Sequence, residues 1–296
     1  MKNLMSKILI LSVILLTSCT QLEHTHYYYS KDSSGQIIVP VTIDGVVFKF
    51  ALDTGSARSF LCKNALLKNN KFNSNYLQGN KKMEIRFYDK LDTLCLEDYK
   101  CAINIGDYKL DVNLFLFNPD SSIGMTLPEV DGVIGFDIFK KLNWLFHLKD
   151  SVFCVNREAI NTELLDTINL SFPVTSKIWD NMKISALLED SIRTEFIFDT
   201  GMCKLGFTHS GTTTYCDFIL SDSLLELMEP SSNSFIPQAA IRYNLKVNNM
   251  NVKNVAFMVD ERSISGNNYI SCSFIYRFNY MIYDKQKNCI SLIGVE

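Results

Sequence analysis

The stretch Phe48-Lys49-Phe50-Ala51-Leu52-Asp53-Thr54-Gly55-Ser56 decides the fold of this 296-residue chain, because its Asp-Thr-Gly tripeptide occurs a second time. The second copy is Phe196-Ile197-Phe198-Asp199-Thr200-Gly201. In both copies an apolar run typical of a β-strand leads into a turn that begins with an aspartate. One Asp-Thr-Gly is usually a surface turn, whereas two copies behind similar strands indicate a duplicated structural unit.

Further landmarks follow each tripeptide in the same order. Asp131-Gly132-Val133-Ile134-Gly135-Phe136 and then Asn143 follow the first copy, and Asn268-Tyr269-Ile270-Ser271-Cys272 and then Asn279 follow the second. Between these landmarks, residues 103–112 and 245–255 both read as strand, polar turn and strand. The ordered set predicts two homologous lobes of similar size.

These motifs resemble those of the retropepsin-like, pepsin-type aspartic proteases, and in particular bacterial aspartyl protease family lipoproteins. In that family a strand leads into Asp-Thr/Ser-Gly, and an apolar pair followed by glycine, here Val133-Ile134-Gly135, passes behind the catalytic loop. The second lobe departs from the pattern at Met202, which stands where Ser56 does, and at Ser271, which stands where Gly135 does.

The resemblance implies that Asp53 and Asp199 form a catalytic dyad around one water molecule. Two carboxyl groups in contact share one proton, so that one member serves as base and the other as acid. Supporting roles in the active-site loops are implied for Thr54, Gly55, Ser56, Thr200, Gly201 and Gly135. Among these, the threonine hydroxyls are expected to bond across to the opposite loop, and the Ser56 hydroxyl to bond an oxygen of Asp53.

The expected fold is mostly β, with two retropepsin-like β-barrel lobes forming a pseudo-dimer around a central cleft. The predicted boundaries are 35–158 for the N-terminal lobe, 159–172 for a connection and 173–296 for the C-terminal lobe. Residues 83–96, turning near Tyr88-Asp89-Lys90, are the candidate flap hairpin over the cleft, and residues 230–234 are an irregular loop at the comparable place. Helices are expected at 63–68, 136–142 and 221–228.

The first 18 residues have the features of an export signal. Lys2 and Lys7 precede an apolar segment that is too short for a stable membrane span, and the segment ends in Leu16-Thr17-Ser18-Cys19. This ending resembles the lipobox of bacterial lipoproteins, which implies cleavage before Cys19 and lipid attachment to its sulfur; the alternative is an ordinary signal peptide. Residues 19–34 are expected to be a tether, and the expected location is the cell envelope, on the periplasmic or cell-surface face of a membrane.

The charge and the cysteine spacing bear on nucleic-acid binding, disulfide bonds and metal binding. A net charge of −3 with no basic stripe argues against nucleic-acid binding. Eight of the nine cysteines follow Cys19, so that disulfides are permitted in an exported protein, with Cys95 and Cys101 as a candidate bridge; buried free thiols such as Cys154 are the other option. No C-x-x-C spacing is present, and neither metal nor cofactor is expected.

Three functions remain open from the sequence. The first is a lipid-anchored aspartic endopeptidase that acts on peptides or proteins as a monomer containing an intramolecular pseudo-dimer. The second is a peptide-binding lipoprotein with weak or no activity, since Met202 and Ser271 depart from the family pattern. The third is a structural envelope lipoprotein built on a β-sandwich, in which the two tripeptides are ordinary turns.

Overall fold

The computed structural model describes residues 25–32, 35–67, 77–87, 90–117, 130–160, 168–177, 180–188, 192–201, 207–208, 215–217, 239–247, 250–259 and 268–295. These residues form three β-sheets and three short helices, so that the mostly-β prediction is confirmed. Among them, none of the helices has the length and apolar character that a membrane crossing requires.

An eight-stranded sheet forms the first lobe. Its strands in spatial order are β2 (Ser30–Lys31), β3 (Ile37–Ile43), β4 (Val46–Leu52), β9 (Gly132–Ile134), β5 (Phe60–Cys62), β8 (Tyr108–Phe117), β7 (Lys90–Ile105) and β6 (Leu77–Phe87). An additional pairing of β3 with β7 closes this sheet into a barrel. Apolar side chains alternate inward along β3 and β4, and the two strands are joined by a two-residue Asp44-Gly45 turn with positive φ at both positions.

A seven-stranded sheet forms the second lobe. Its strands in spatial order are β15 (Phe207–Thr208), β18 (Met250–Val259), β16 (Tyr215–Asp217), β19 (Asn268–Ser271), β14 (Ile192–Asp199), β13 (Lys183–Leu188) and β17 (Ala239–Val247). Pairing of β18 with β17 closes it. The circuit β13-β14-β19-β16-β18-β17 has the same order as the circuit β3-β4-β9-β5-β8-β7 of the first lobe, except that β16 runs opposite to β5. The shared order agrees with the predicted duplication.

A six-stranded sheet joins the two lobes. Its strands in spatial order are β1 (Tyr27–Tyr28), β11 (Val152–Asn156), β10 (Asn143–His147), β20 (Phe278–Asp284), β21 (Cys289–Val295) and β12 (Ile168–Pro173). At its centre Trp144 faces Tyr283 and His147 faces Tyr280. The two landmark asparagines lie 136 positions apart (279 − 143). The same spacing relates Trp144 to Tyr280 and His147 to Tyr283, so each pair is the symmetry equivalent of the other. The two-fold pseudo-symmetry therefore passes between β10 and β20.

The apolar core runs through both lobes and this shared sheet. Stacked aromatic rings of Phe139, Trp144, Phe146 and Phe153 lie under the sheet, fully buried. Tyr283 of the second lobe packs on Phe139 with ring centroids 5.0 Å apart, so burial of these rings contributes to holding the lobes together.

The predicted flap segment is confirmed as a hairpin, since β6 and β7 pair antiparallel from Leu77 opposite Tyr99 to Phe87 opposite Lys90. Residues 88–89 of its turn, like residues 230–234 and the helix predicted at 221–228, lie outside the described residues. The other two predicted helices are present as α1 (Lys63–Leu67) and α2 (Phe136–Phe139), and a third helix, α3 (Cys272–Ile275), was not predicted.

Two sequence expectations differ from the structure in the flanking segments. The predicted tether 19–34 does not extend to Ser34 as free chain, because Tyr27 and Tyr28 pair with β11 and the buried Tyr29 donates its hydroxyl to the Leu148 carbonyl at 3.3 Å. The predicted connection 159–172 likewise becomes strand from Ile168 onward.

The predicted Cys95–Cys101 bridge is wrong. Both residues lie in the continuous strand β7, where six steps of about 3.3 Å separate them by about 20 Å, far beyond the span of a disulfide. Cys101 is a free thiol, as are Cys62, Cys154 and Cys289. Burial raises the pKa of the Cys154 thiol to about 11, in agreement with its predicted role as a buried free thiol.

Candidate active site

Each aspartate is delivered to the interface between the lobes by a central parallel strand pair. In lobe one, β4 lies parallel to β9 with Leu52 opposite Ile134, and the amide of Asp53 donates to the Ile134 carbonyl at 3.0 Å. In lobe two, β14 lies parallel to β19 with Asp199 opposite Ser271. The three residues that precede each tripeptide, 50–52 and 196–198, are buried, so that each aspartate begins a turn anchored by a core strand.

The two threonines lock the turns to each other. Thr54 donates its amide to Thr200 Oγ1 at 3.0 Å, and Thr200 donates its amide to Thr54 Oγ1 at 3.2 Å. Each hydroxyl then donates to a carbonyl of the opposite strand, Thr54 to Phe198 and Thr200 to Leu52. Both threonines are fully buried, and the expected cross-lobe bonding is present in both directions.

The two glycines make room for the opposite carboxyl group. A Cβ atom on Gly55 would lie 2.3 Å from Cγ of Asp199, and one on Gly201 would lie 2.4 Å from Cγ of Asp53. Real Cβ atoms do not approach other atoms this closely, so a side chain at either position would displace the opposite carboxyl group. The Asp53 and Asp199 carboxyls meet between the two turns and hydrogen-bond to each other.

The environment of Asp53 favours its protonated form. Burial raises the pKa of this carboxyl above its ordinary value, while the hydrogen bonds from Asp199 and from the amides of Ser56 and Gly55 act in the opposite direction. The amide of Ser56 donates to Asp53 Oδ1 at 2.9 Å, and the amide of Gly201 donates to Asp199 Oδ1 at 2.9 Å. The carboxyl pair therefore holds a proton to higher pH than an isolated aspartate would.

The support residues of lobe one contribute in a different way from the one expected. The Ser56 hydroxyl donates to the Arg58 carbonyl at 2.7 Å, so that its amide and not its side chain contacts Asp53. Gly135 lies directly against this segment, and a Cβ atom there would be 2.3 Å from the Arg58 carbonyl oxygen. The predicted close packing of Gly135 behind the turn is therefore present.

Of the two residues at which lobe two differs from the family pattern, the structure describes Ser271. Ser271 occupies the place of Gly135 beside its aspartate, and the fold accommodates its fully buried side chain. Met202, like the lipidation candidate Cys19, lies outside the described residues.

Sequence reasoning missed several residues that hold the two turns. Met182 donates its amide to the Thr54 carbonyl at 2.9 Å, and Gln36 donates its side-chain amide to the Gly201 carbonyl at 3.4 Å. These two residues lie 146 positions apart (182 − 36), as Thr54 and Thr200 do. The repeat spacing could have identified them as a pair, although their side chains share no chemistry. Ser59 and Asp137 were missed as well, and the structure brings both to the back of the first turn.

Comparison with known proteins gives a likeness at the level of structure. No family model matches the sequence, and no curated protein resembles it closely enough to count as a relative. Among solved structures, the chain is similar to an aspartic proteinase from Irpex lacteus, with a TM-score of 0.59 and 13% identity over 92% of this chain and 97% of the other. Since the match spans both lobes, the chain has the two-lobed fold of the aspartic proteinases.

Proposed function

We propose that this protein is an aspartic endopeptidase in which Asp53 and Asp199 form the catalytic dyad. The proposal rests on an observation made in both lobes. The glycine of each tripeptide lies so close to the carboxyl group of the other lobe that a Cβ atom on the glycine would overlap it. Turns used only to reverse the chain need no such facing pair of carboxyls. The alternative of a structural lipoprotein with two ordinary turns is therefore disfavoured.

The dyad would hydrolyse a peptide bond without a covalent intermediate. The ionised carboxylate takes a proton from a water molecule, whose oxygen attacks the peptide carbonyl carbon, while the protonated carboxyl gives its proton to the carbonyl oxygen. The carboxyl that took the proton from water then gives it to the nitrogen as the C–N bond breaks. The other carboxylate takes a proton from a hydroxyl of the resulting diol, which restores the singly protonated pair. The amides of Ser56 and Gly201 hold the carboxyl oxygens in place, and the buried threonine bonds prevent the two lobes from moving the carboxyls apart.

The test is cleavage of a pooled peptide library by the purified protein from acid to neutral pH, followed by mass spectrometry. We expect defined cut sites in the wild type and none in Asp53→Asn or Asp199→Asn. Because asparagine has nearly the same shape as aspartate, the circular dichroism spectra should remain unchanged.

A second candidate is a peptide-binding lipoprotein on the same fold with weak or no activity. The buried Ser271 favours it, since this residue places a side chain beside the second aspartate where lobe one has glycine. Peptide binding in equilibrium dialysis without cleavage at any pH would support this candidate and contradict the first.

We also propose that the protein is lipid-anchored through Cys19 in the cell envelope, with the lobes on the periplasmic or cell-surface side. The support is the sequence Leu16-Thr17-Ser18-Cys19 after an apolar segment. Cys19→Ala should abolish labelling by a palmitate analogue and move the protein from the membrane to the soluble fraction. Unchanged labelling and fractionation would contradict the anchor.

The proposed working unit is a monomer, because one chain supplies both aspartates and the shared sheet between them. Sedimentation of the chain without its first 18 residues should give the mass of one copy, with the cleavage activity in that fraction.

A further inference from the structure

A buried serine hydroxyl connects two loops behind the first aspartate. Ser59 is fully buried, and its Oγ accepts the Gly135 amide at 2.9 Å and donates to Asp137 Oδ1 at 2.6 Å. The same Asp137 oxygen accepts the Ile138 amide at 2.9 Å. The hydroxyl thus has both its donor and an acceptor position filled, by groups on a segment 76 to 78 residues further along the chain.

Two further hydrogen bonds link this connection to the dyad. The Phe136 amide donates to the Ser56 carbonyl at 2.8 Å, and the Ser56 amide donates to Asp53 Oδ1 at 2.9 Å. Ser59 therefore ties down the far end of the four-residue segment whose near end holds the carboxyl oxygen of Asp53. Release of Ser59 would free both the 56–59 segment and the 135–137 segment against which it lies.

The second lobe does not repeat this chemistry. Shifting Ser59 by 146 positions gives Leu205, and shifting Asp137 by 136 positions gives Ser273. A leucine side chain can neither donate nor accept a hydrogen bond, so the residues at the equivalent sequence positions cannot form the same bond.

We infer that Ser59 and Asp137 are positioning residues for Asp53; this inference rests on the proposed peptidase function. They touch neither carboxyl group of the dyad. Their effect passes through the Ser56 amide, whose position sets the orientation of Asp53 Oδ1.

The test compares variants on a fluorogenic peptide taken from a cut site of the wild-type protein. Ser59→Ala should lower kcat about tenfold and leave KM within about twofold, because orientation of the dyad affects the transition state more than substrate binding. Asp137→Ala should give the same loss, and the double variant should be no worse than either single variant. Asp137→Asn keeps an acceptor oxygen and should retain most of the activity.

Ser291→Ala is the matched control. Ser291 is also buried, and its hydroxyl bonds to Ser171 Oγ at 3.2 Å in the sheet between the lobes. It removes a buried hydroxyl outside the active site and should leave kcat unchanged. An equal loss of kcat in Ser59→Ala and Ser291→Ala, or a change confined to KM, would overturn the positioning role.

Amide hydrogen exchange separates failure of this inference from failure of the proposed function. If the wild type cleaves no peptide, the peptidase proposal fails, but the effect of the Ser59 hydrogen bonds on the two loops can still be measured. Ser59→Ala should then speed exchange at Ser56, Gly135 and Phe136 more than about tenfold while Ser291→Ala does not. Equal exchange in the two variants would overturn the inference by itself.

Discussion

The two lobes have the same order of strands in their barrels, but they differ at one strand. It lies between β8 and β9 in lobe one and between β18 and β19 in lobe two. In lobe one, β5 runs parallel to β8 and antiparallel to β9. In lobe two, β16 occupies that place with the opposite direction, antiparallel to β18 and parallel to β19, while β15 retains the parallel pairing with β18. The second lobe therefore has two strands, β15 and β16, where the first lobe has β5 alone.

What the lobes retain lies at their mutual contact. The Asp-Thr-Gly turns, the parallel pairs β4–β9 and β14–β19, and the centre of the shared sheet obey the same pseudo-symmetry. Each threonine needs the amide and carbonyl of the other lobe, so a change on one side would leave a buried polar group unpaired on the other. Groups behind the turns, such as Ser59 and Gly135, have no partner across the interface and differ between the lobes.

The dyad itself provides the largest test of the comparison. Asp53→Asn and Asp199→Asn should each lower kcat by about 10³-fold or more, and the double variant should fall no further, because the shared proton is lost in every case. Peptide cleavage under single-turnover conditions measures the loss. If only Asp53→Asn were inactive, either two chains would pair through Asp53 or another chemistry would operate, and lobe two would not be a catalytic half.

The glycines test whether the two turns are equivalent. Gly55→Ala and Gly201→Ala should lower kcat/KM by a similar factor of about 10²-fold, since each new Cβ displaces the opposite carboxyl group from nearly the same distance. The carboxyl is the end of a side chain and can move aside, so the melting temperature should change little. A large effect in only one of the two variants would show that the carboxyls are not used symmetrically.

The position behind each turn should distinguish the lobes. Gly135→Ala should destabilise the fold by about 1–3 kcal/mol, because the new methyl group meets the Arg58 backbone, which cannot move aside cheaply. Ser271→Ala should cost about 1 kcal/mol or less, since the space already holds a side chain. Urea unfolding measures both values; equal destabilisation would mean that the lobes are packed alike at this point.

The pH dependence of stability tests the environment of Asp53. Because the pKa of Asp53 is raised in the folded state, protonation of this carboxyl stabilises the fold. This contribution to stability is complete below the ordinary pKa of 3.8 and is lost as the pH rises through the folded-state pKa. Asp53→Asn should therefore gain stability relative to the wild type as the pH rises, by about 1.4 kcal/mol for each unit of the shift. Thermal melts from pH 3 to pH 8 measure this gain, and the same series on Asp199→Asn shows which lobe holds the less favourable charge. A difference independent of pH would contradict the buried, raised carboxyl.

Local sequence patterns were sufficient to predict several of the strands and the duplication. The bounds of β3 and β4 follow from apolar runs that end at Asp44-Gly45 and at Asp53, since strand period and turn chemistry depend only on near neighbours. The positions of both aspartates and the correspondence of Gly135 with Ser271 follow from the repeat alone.

Only the tertiary structure decided which atoms meet. The Ser56 hydroxyl bonds to Arg58 instead of Asp53, Tyr29 is buried instead of belonging to a tether, and Ser59 reaches Asp137 across 78 positions of sequence. Such contacts depend on how strands far apart in the chain are packed, and no short stretch of residues carries that information. The sequence placed two carboxyls at the ends of two strands; the packing of one lobe against the other brought them together and buried them.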